Sequence, residues 1–444
     1  MLDAEEAAAS PPVGLRQNRN FRLLWSGQAV SVLGDIVFDT TVVLWVGVVL
    51  AAGQPWAPLA VSGVMIAVLA PALLIGPMAG VFVDRWDRRR TMLWADLIRA
   101  VLIGGLVVLV LLPEGTVSVS GQLGLVYAVV ALASVAAQFF NPARFALLGA
   151  VVAAPDMPRA ASLGQATSSF AGIVGPPLAA PLLFTIGVEW ALAVNALSFL
   201  VSYLAIHAVR VRPEASQPAT DAAVQRSSVW AEFREGLRFF AGNRVLVAVL
   251  VAALLVMAGA GAVNALDVFF VVENLGVDPK FYGLLGAAFD IGAITGALLA
   301  AAYAGKIGAS RTFWLGLLCT GVAFMAYSRS TDLIVAMILI LLCGLPVAAV
   351  NSVIGPITLQ QTPQHMLGRV MSVFNPVVQL ASISSIAVAS ALASTVMHDL
   401  DTTVLGLRFR TFDTIFLVSG LFIVAGGLYA RYAMRRTDQP SPAS

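Results

Sequence analysis

Residues 80–90 read Gly80-Val-Phe-Val-Asp84-Arg85-Trp86-Asp87-Arg88-Arg89-Arg90, closing one long apolar run and preceding another. Six of these residues are charged, in a chain whose charged fraction is only 11%. Clustered arginines do not cross a bilayer readily, so the side this loop occupies orients the two helices it joins. By the positive-inside rule that side is the cytoplasm.

The rest of the chain agrees with a membrane reading. Hydrophobic residues make up 59% and the mean hydropathy is +0.89, whereas a soluble domain carries roughly a quarter charged residues. A bilayer-crossing helix needs ~20 apolar residues. Runs of that kind fall near 24–50, 60–82, 92–112, 122–142, 164–186, 190–209, 245–272, 281–304, 312–328, 332–357, 370–396 and 411–431. With both ends inside, 22 of the 26 Lys and Arg residues lie at the cytoplasmic face, leaving Lys280, Arg329, Arg408 and Arg410 outside. Shifting the frame by one span would invert that ratio. Residues 1–20 are acidic and lack an apolar core, so no cleavable signal peptide is expected and the first span directs insertion.

The net charge of +2 gives no reason to expect a nucleic-acid partner. Cys319 and Cys343 lie within apolar runs and form neither a disulfide framework nor a metal motif. His207, His365 and His398 are scattered near span ends, and no nucleophile motif or phosphate-binding glycine loop is present. An enzyme or an ATP-driven pump is therefore disfavoured. The expected partners are a small-molecule substrate, protons and the lipid of an inner, plasma membrane, for a monomer without cofactor or metal.

The organisation predicted is an all-α membrane protein of twelve transmembrane helices, arranged as two pseudo-symmetric six-helix bundles around a central cavity. A tail over 1–20 precedes an N-terminal bundle over 21–209. A linker over 210–243 leads to a C-terminal bundle over 244–432 and a tail over 433–444. In the linker, Trp230, Phe233, Leu237, Phe239 and Phe240 alternate with charges at helical spacing. That segment lies either on the membrane surface or on the bundle's cytoplasmic ends. Internal duplication is visible in the pairs Asn141/Asn351, Arg159/Arg369 and Ser162/Ser372, each 210 residues apart. Asp84-Arg85 and Arg90-Thr91 likewise align with Gly305-Lys306 and Arg311-Thr312, so the second copy lacks the Asp.

A charge at the centre of a membrane helix costs ~2.5–3.5 kcal/mol, several times what one Leu returns. Embedded acids therefore need a reason. Gln28, Ser31, Asp35 and Asp39 share one face of span one at spacings of three or four. Asp267, with Asn264 on its face, and Asp290 are the second-half acids, and spans four and ten add Gln138, Asn141 and Asn351. The asparagines serve equally well as cross-helix hydrogen bonders. Because desolvation penalises a charged carboxyl, such a group can bind a proton on one side and release it on the other. Asp35, with Asp290 or Asp267, is the proton-coupling candidate. Phe38 is the nearest of several aromatic residues able to wall an apolar pocket.

The stretch Gly80, Asp84, Arg85 and Arg88–Arg90 resembles the signature loop of the major facilitator superfamily of secondary transporters, with Asp87 standing where that family usually has glycine. The resemblance implies a cytoplasmic latch built from Gly80, Asp84, Arg85, Arg89 and Arg90, joined by Asp96 and Arg99 at the start of span three. It also implies that spans one, four, seven and ten line the central path. Gly172-Ile-Val-Gly175-Pro176-Pro177 resembles the span-five motif of the family's exporters, with Ala179 and Ala180 replacing glycines, and predicts a bend at Gly175, Pro176 and Pro177. Asn20-Phe-Arg-Leu-Leu-Trp25, Gly34-Asp35, Phe140-Asn-Pro-Ala-Arg144 and Leu367-Gly-Arg-Val370 resemble the branch holding enterobactin, macrolide and multidrug exporters. Proton-driven export of a lipophilic or amphipathic molecule is then expected. With no basic residue read deep in a span, a neutral or cationic cargo suits the acids better than an anion. Export of one dedicated metabolite, lysolipid movement, and a non-transporting receptor are the alternatives.

Overall fold

The computed structural model describes residues 14–113, 115–210, 229–398, 400–404 and 406–434. Twelve of its helical segments are long and apolar enough to cross a membrane. The first half contains α1 (Arg19–Leu44), a span in two pieces, α2 (Ala57–Leu74) and α3 (Gly76–Val83), then α4 (Arg88–Val110), α5 (Val119–Val151), α6 (Met157–Pro181) and α7 (Val188–Ala208). A linker helix, α8 (Val229–Gly242), leads to α9 (Arg244–Phe269), α10 (Tyr282–Ile307), α11 (Ala309–Ser328), α12 (Leu333–Gln361), α13 (Leu367–Ser394) and α14 (Thr411–Met434).

Short polar side chains start these helices. Asn18, Asp87, Ser118, Asn243 and Asp332 each accept a hydrogen bond from a backbone N–H in the following first turn. Asp87 thus does a definite job at the position where glycine was expected: it caps α4. Several helices run beyond the apolar window, α5 to Val151 and α12 to Gln361, because the helical hydrogen-bond ladder continues where hydropathy ends.

The duplication is structural. The 3₁₀ turns Ala154–Asp156 and Gln364–Met366 are 210 residues apart, as are the starts of α6 and α13. Between Arg19 of α1 and Arg244 of α9 the offset is 225, and the π turns Trp45–Leu50 and Phe270–Asn274 repeat it. Arg88 of α4 and Ala309 of α11 differ by 221. Burial follows these registers: Phe21, Leu24 and Gly34 match buried Leu246, Val249 and Gly259, and Met92, Ala95 and Ile103 match buried Phe313, Gly316 and Phe324.

In the first half α7 packs along α1 and α4, as α14 packs along α9 and α11 in the second, where α10–α12 is a further long seam; the halves meet along α6–α10 and α2–α13. Small residues make these seams: a methyl group on Gly344 would strike the Phe289 carbonyl, and one on Gly283 the Pro176 carbonyl across the half boundary. At the end holding the loop between Leu50 and Ala57, one core cluster includes both halves, joining Val42, Trp45 and Val61 to Leu266, Phe269 and Phe270. At the arginine-loop end the cores are separate, one around Met92 and Phe140, the other around Val249 and Phe313. The buried core is thus continuous across the halves at one end and divided between them at the other.

The twelve-helix, all-α expectation holds for the spans, and one short element is added between two of them. Asp401–Val404 and Leu407–Arg410 form an antiparallel hairpin between α13 and α14, turning at Gly406 with φ +80°. The linker segment also resolves: Phe240 is buried and stacks on Phe374, and Glu235 pairs with Arg369 at 2.7 Å. This part of α8 is packed on α13 instead of lying free on a membrane surface.

Candidate functional site

Two regions bring the sequence-derived residues together, one in each half. In the first half, α4 turns Asp96 and Arg99 into the core, with Asp96 fully buried and Arg99 6% exposed. Arg99 lies about 16 Å along α4 from its start. Its guanidinium donates to Asp96 at 2.5 Å, stands 4.0 Å from Asp35 on α1, and lies over the rings of Phe140 (4.5 Å) and Phe199 (4.2 Å). Asn195 of α7 is buried beside Asp35, and Gln28 donates to Ser202 at 3.2 Å on the neighbouring turns. Ser31 is buried on the same face of α1. Asp35 keeps 40% of its side chain exposed. Asp96 Oδ2 and Asn195 Nδ2 are buried without a hydrogen-bond partner.

Two expectations fail here. Asp96 and Arg99 do not join Asp84 in a surface latch; the helical phase of α4 points them inward, while Asp84 stays on the exposed loop. Arg99 is also a basic residue deep in a span, and not the cytoplasmic-face charge expected from the sequence. The loop itself is tied to its own half. Trp86 stacks between Phe82 and Phe139, and Arg89 donates to the terminal carbonyls of α7, Ile206 O and His207 O. Arg85 and Arg90 border a groove beside Trp86, and Gly80 faces open space.

The second region is a cavity of about 410 Å³. Thr40 and Pro176 bring the first half to its wall, and α9, α10, α11, α12 and α14 supply the rest. Asp267, Asn264 and Asn351 are its polar lining from the candidate set. Tyr327, fully buried against Phe270 and Phe416, donates to Asp267 Oδ1 at 2.6 Å. Tyr282, Phe289 and Phe324 add aromatic faces, and the lining contains no Lys, Arg or His.

The remaining candidates divide. Asp290 is not among the residues lining this cavity and sits in the α6–α10 seam against Gly172. Gly175 seats Ile36 of α1. Pro176 and Pro177 lie within a continuous α6, whose ladder changes to a π turn after Pro181. Asp39 and Asn141 are exposed, Gln138 bonds back to Ser134 O, and Phe38 is core. Sequence reasoning missed Asn195, Phe199, Tyr282, Thr320 and Tyr327; the spacing of Asp96 and Arg99 at i,i+3 well inside α4 was the available signal for the first cluster.

Comparison with known proteins fits this architecture. Residues 9–415 match the family described as transmembrane secretion effector. The chain is 24% identical over 338 residues to the MFS-type transporter YkuC of Bacillus subtilis, covering 74% of this chain and 76% of that one. It is 25% identical to macrolide efflux protein A of Streptococcus pyogenes over 63% of this chain and 65% of that protein. To a protein assigned as the bacilysin exporter BacE of Bacillus amyloliquefaciens it is 32% identical, over 49% of this chain and 50% of the relative. Among solved structures, a bacterial homologue of the lysosomal transporter Spinster, inward-facing and unoccupied, superposes with a TM-score of 0.70 at 14% identity, over 96% of this chain and 99% of its own. A bacterial ferroportin homologue in an inward-facing state gives 0.69 at 15% identity, over 94% and 98%.

Proposed function

This chain belongs to the transmembrane secretion effector family of the major facilitator superfamily, a multi-pass membrane transporter and not an enzyme, and on that premise we propose that it exports lipophilic or amphipathic small molecules in exchange for protons. Its arginine loop and both termini face the cytoplasm on this reading, so the end where the cores are divided is the inner one and the conformation is the one open to the cytoplasm. Cargo enters between the halves, and rocking about the α6–α10 and α2–α13 seams alternates access.

One observation carries the proton step: two carboxyls, Asp35 and Asp96, share a single guanidinium inside the first half. At low dielectric the three groups balance only when one carboxyl is protonated. Asp35 is the water-accessible member and exchanges the proton; Arg99 pairs more closely with Asp96 and holds it charged. A proton moving down the membrane potential supplies ~2.3 kcal/mol per 100 mV. A relative assigned to bacilysin export favours a second reading, a dedicated exporter of one metabolite.

Cells expressing the protein, loaded with a panel of dyes and antibiotics, separate these readings. Broad efflux that collapses with a protonophore and with Asp35→Asn supports the proposal. Efflux that ignores both contradicts it, and extrusion of a single compound favours the dedicated exporter.

A further inference from the structure

The structural repeat relates the two regions described above residue by residue. With the registers of α1 to α9 and α4 to α11, Asp35 corresponds to Ala260, Asp96 to Leu317 and Arg99 to Thr320. The 210-residue offset takes Phe140 to Val350. Aligning the buried faces of α7 and α14, Leu192 with Phe416 and Ile206 with Ala430, takes Phe199 to Ile423. All of these second-half counterparts line the cavity. Where the first half is filled by a guanidinium, its carboxyls and its two rings, the second half has small or aliphatic side chains around a cavity.

Among the polar residues lining that cavity, Asp267 is the one acid and the rest are neutral. Asp267 presents a carboxyl with one oxygen bonded to Tyr327, and no cationic side chain is present among the lining residues. Tyr282, Phe289 and Phe324 supply π faces, and Met257 and Val347 add apolar wall. A carboxylate with aromatic faces and a dry wall is the environment the first half builds around Arg99. Cations gain ~0.5–2 kcal/mol over such rings, more when desolvated. The volume lies within the ~300–1,000 Å³ typical of small-molecule sites.

We infer that the second-half cavity is a binding subsite for a lipophilic organic monocation, with Asp267 as its counter-ion and Tyr327 positioning that carboxylate. This deepens the export reading and rests on it for the direction of transport, but the binding step is testable alone. Thr320 stands where Arg99 does in the other half, so the cargo's charged group sits between Thr320 and Asp267. The first half meets its cation with its own side chain; the second leaves that role to the cargo.

The probes are tetraphenylphosphonium and the neutral triphenylphosphine oxide, titrated by calorimetry into purified full-length protein. The wild type should bind the cation at least about tenfold more tightly than the neutral probe. Asp267→Asn should remove that preference while leaving neutral binding within about threefold, and Asp267→Glu should retain it. Equal affinities in the wild type, no cation binding, or an unchanged preference in Asp267→Asn would overturn the inference. The wild-type comparison stands even if a variant does not fold. Asp35→Asn should lose protonophore-sensitive efflux while leaving cation binding intact, so efflux that survives this substitution with binding preserved identifies a failure of the coupling scheme and not of the subsite.

Discussion

The two halves share a backbone plan and differ in where they keep charge. In the first, Asp35, Asp96 and Arg99 close on one another within the bundle; in the second, the equivalent Ala260, Leu317 and Thr320 open a cavity, and the acid has moved to Asp267, whose counterpart Val42 is buried core. Duplication supplied one scaffold twice, and in the proposed scheme polar substitutions divide the labour, ion handling on one side and cargo on the other. The ends away from the arginine loop differ as well. A turn at Gly187, φ +123°, joins the last two spans of the first half, whereas the second half uses the hairpin, laced by Arg329 to Asp413 at 3.1 Å and Arg410 to the Glu273 carbonyl at 3.0 Å.

The largest expected effect breaks the filled half. Arg99→Met leaves Asp96 and Asp35 without their cation and should cost about 3–5 kcal/mol, read as a lower thermal midpoint in detergent. The same change in an Asp96→Asn background should cost much less, since the uncompensated charge is gone. Next is the seam on which the halves rock: Gly283→Leu drives a side chain into the Pro176 carbonyl and should cost about 1–3 kcal/mol, with slowed transport. A strained backbone contact of this kind has no flexible neighbour to yield.

Thr320→Arg sharpens the comparison by giving the second half the cation of the first. A guanidinium in the cavity occupies the place of a cationic cargo and repels it, so efflux of such a cargo should fall by about tenfold or more while the protein still inserts. The smallest effect is at the hairpin. Hydrogen bonds from Arg408 hold the exposed Asp401 carboxyl below its ordinary range. A depressed carboxylate contributes above its unfolded pKa and loses that contribution only as pH falls through the folded value. Asp401→Asn should therefore leave the thermal midpoint nearly unchanged at neutral pH, and any difference from wild type should vanish in acid.

Much of the fold was legible because a bilayer imposes its own length scale: runs of ~20 apolar residues and one-sided arginines leave little choice of topology. What was lost depended on helical phase. Reading span three from residue 92 treated Arg99 as a boundary charge, yet α4 begins at Arg88 and carries it well into the bundle. The hairpin was missed because Asp401–Arg410 is too short and polar to register in a hydropathy scan. Asp267 and Asp290 could not be ranked from sequence; one faces the cavity and the other lies in a seam, and that difference comes from packing between helices far apart in the chain.

The division of labour between the halves is tested most directly in proteoliposomes, by comparing uphill accumulation of tetraphenylphosphonium under an imposed pH gradient with cargo-for-cargo exchange at equal pH. For Asp35→Asn the account predicts that accumulation is lost while exchange continues near the wild-type rate. Accumulation that survives the substitution, or exchange that disappears with it, would contradict the assignment of the proton to one half and the cargo to the other.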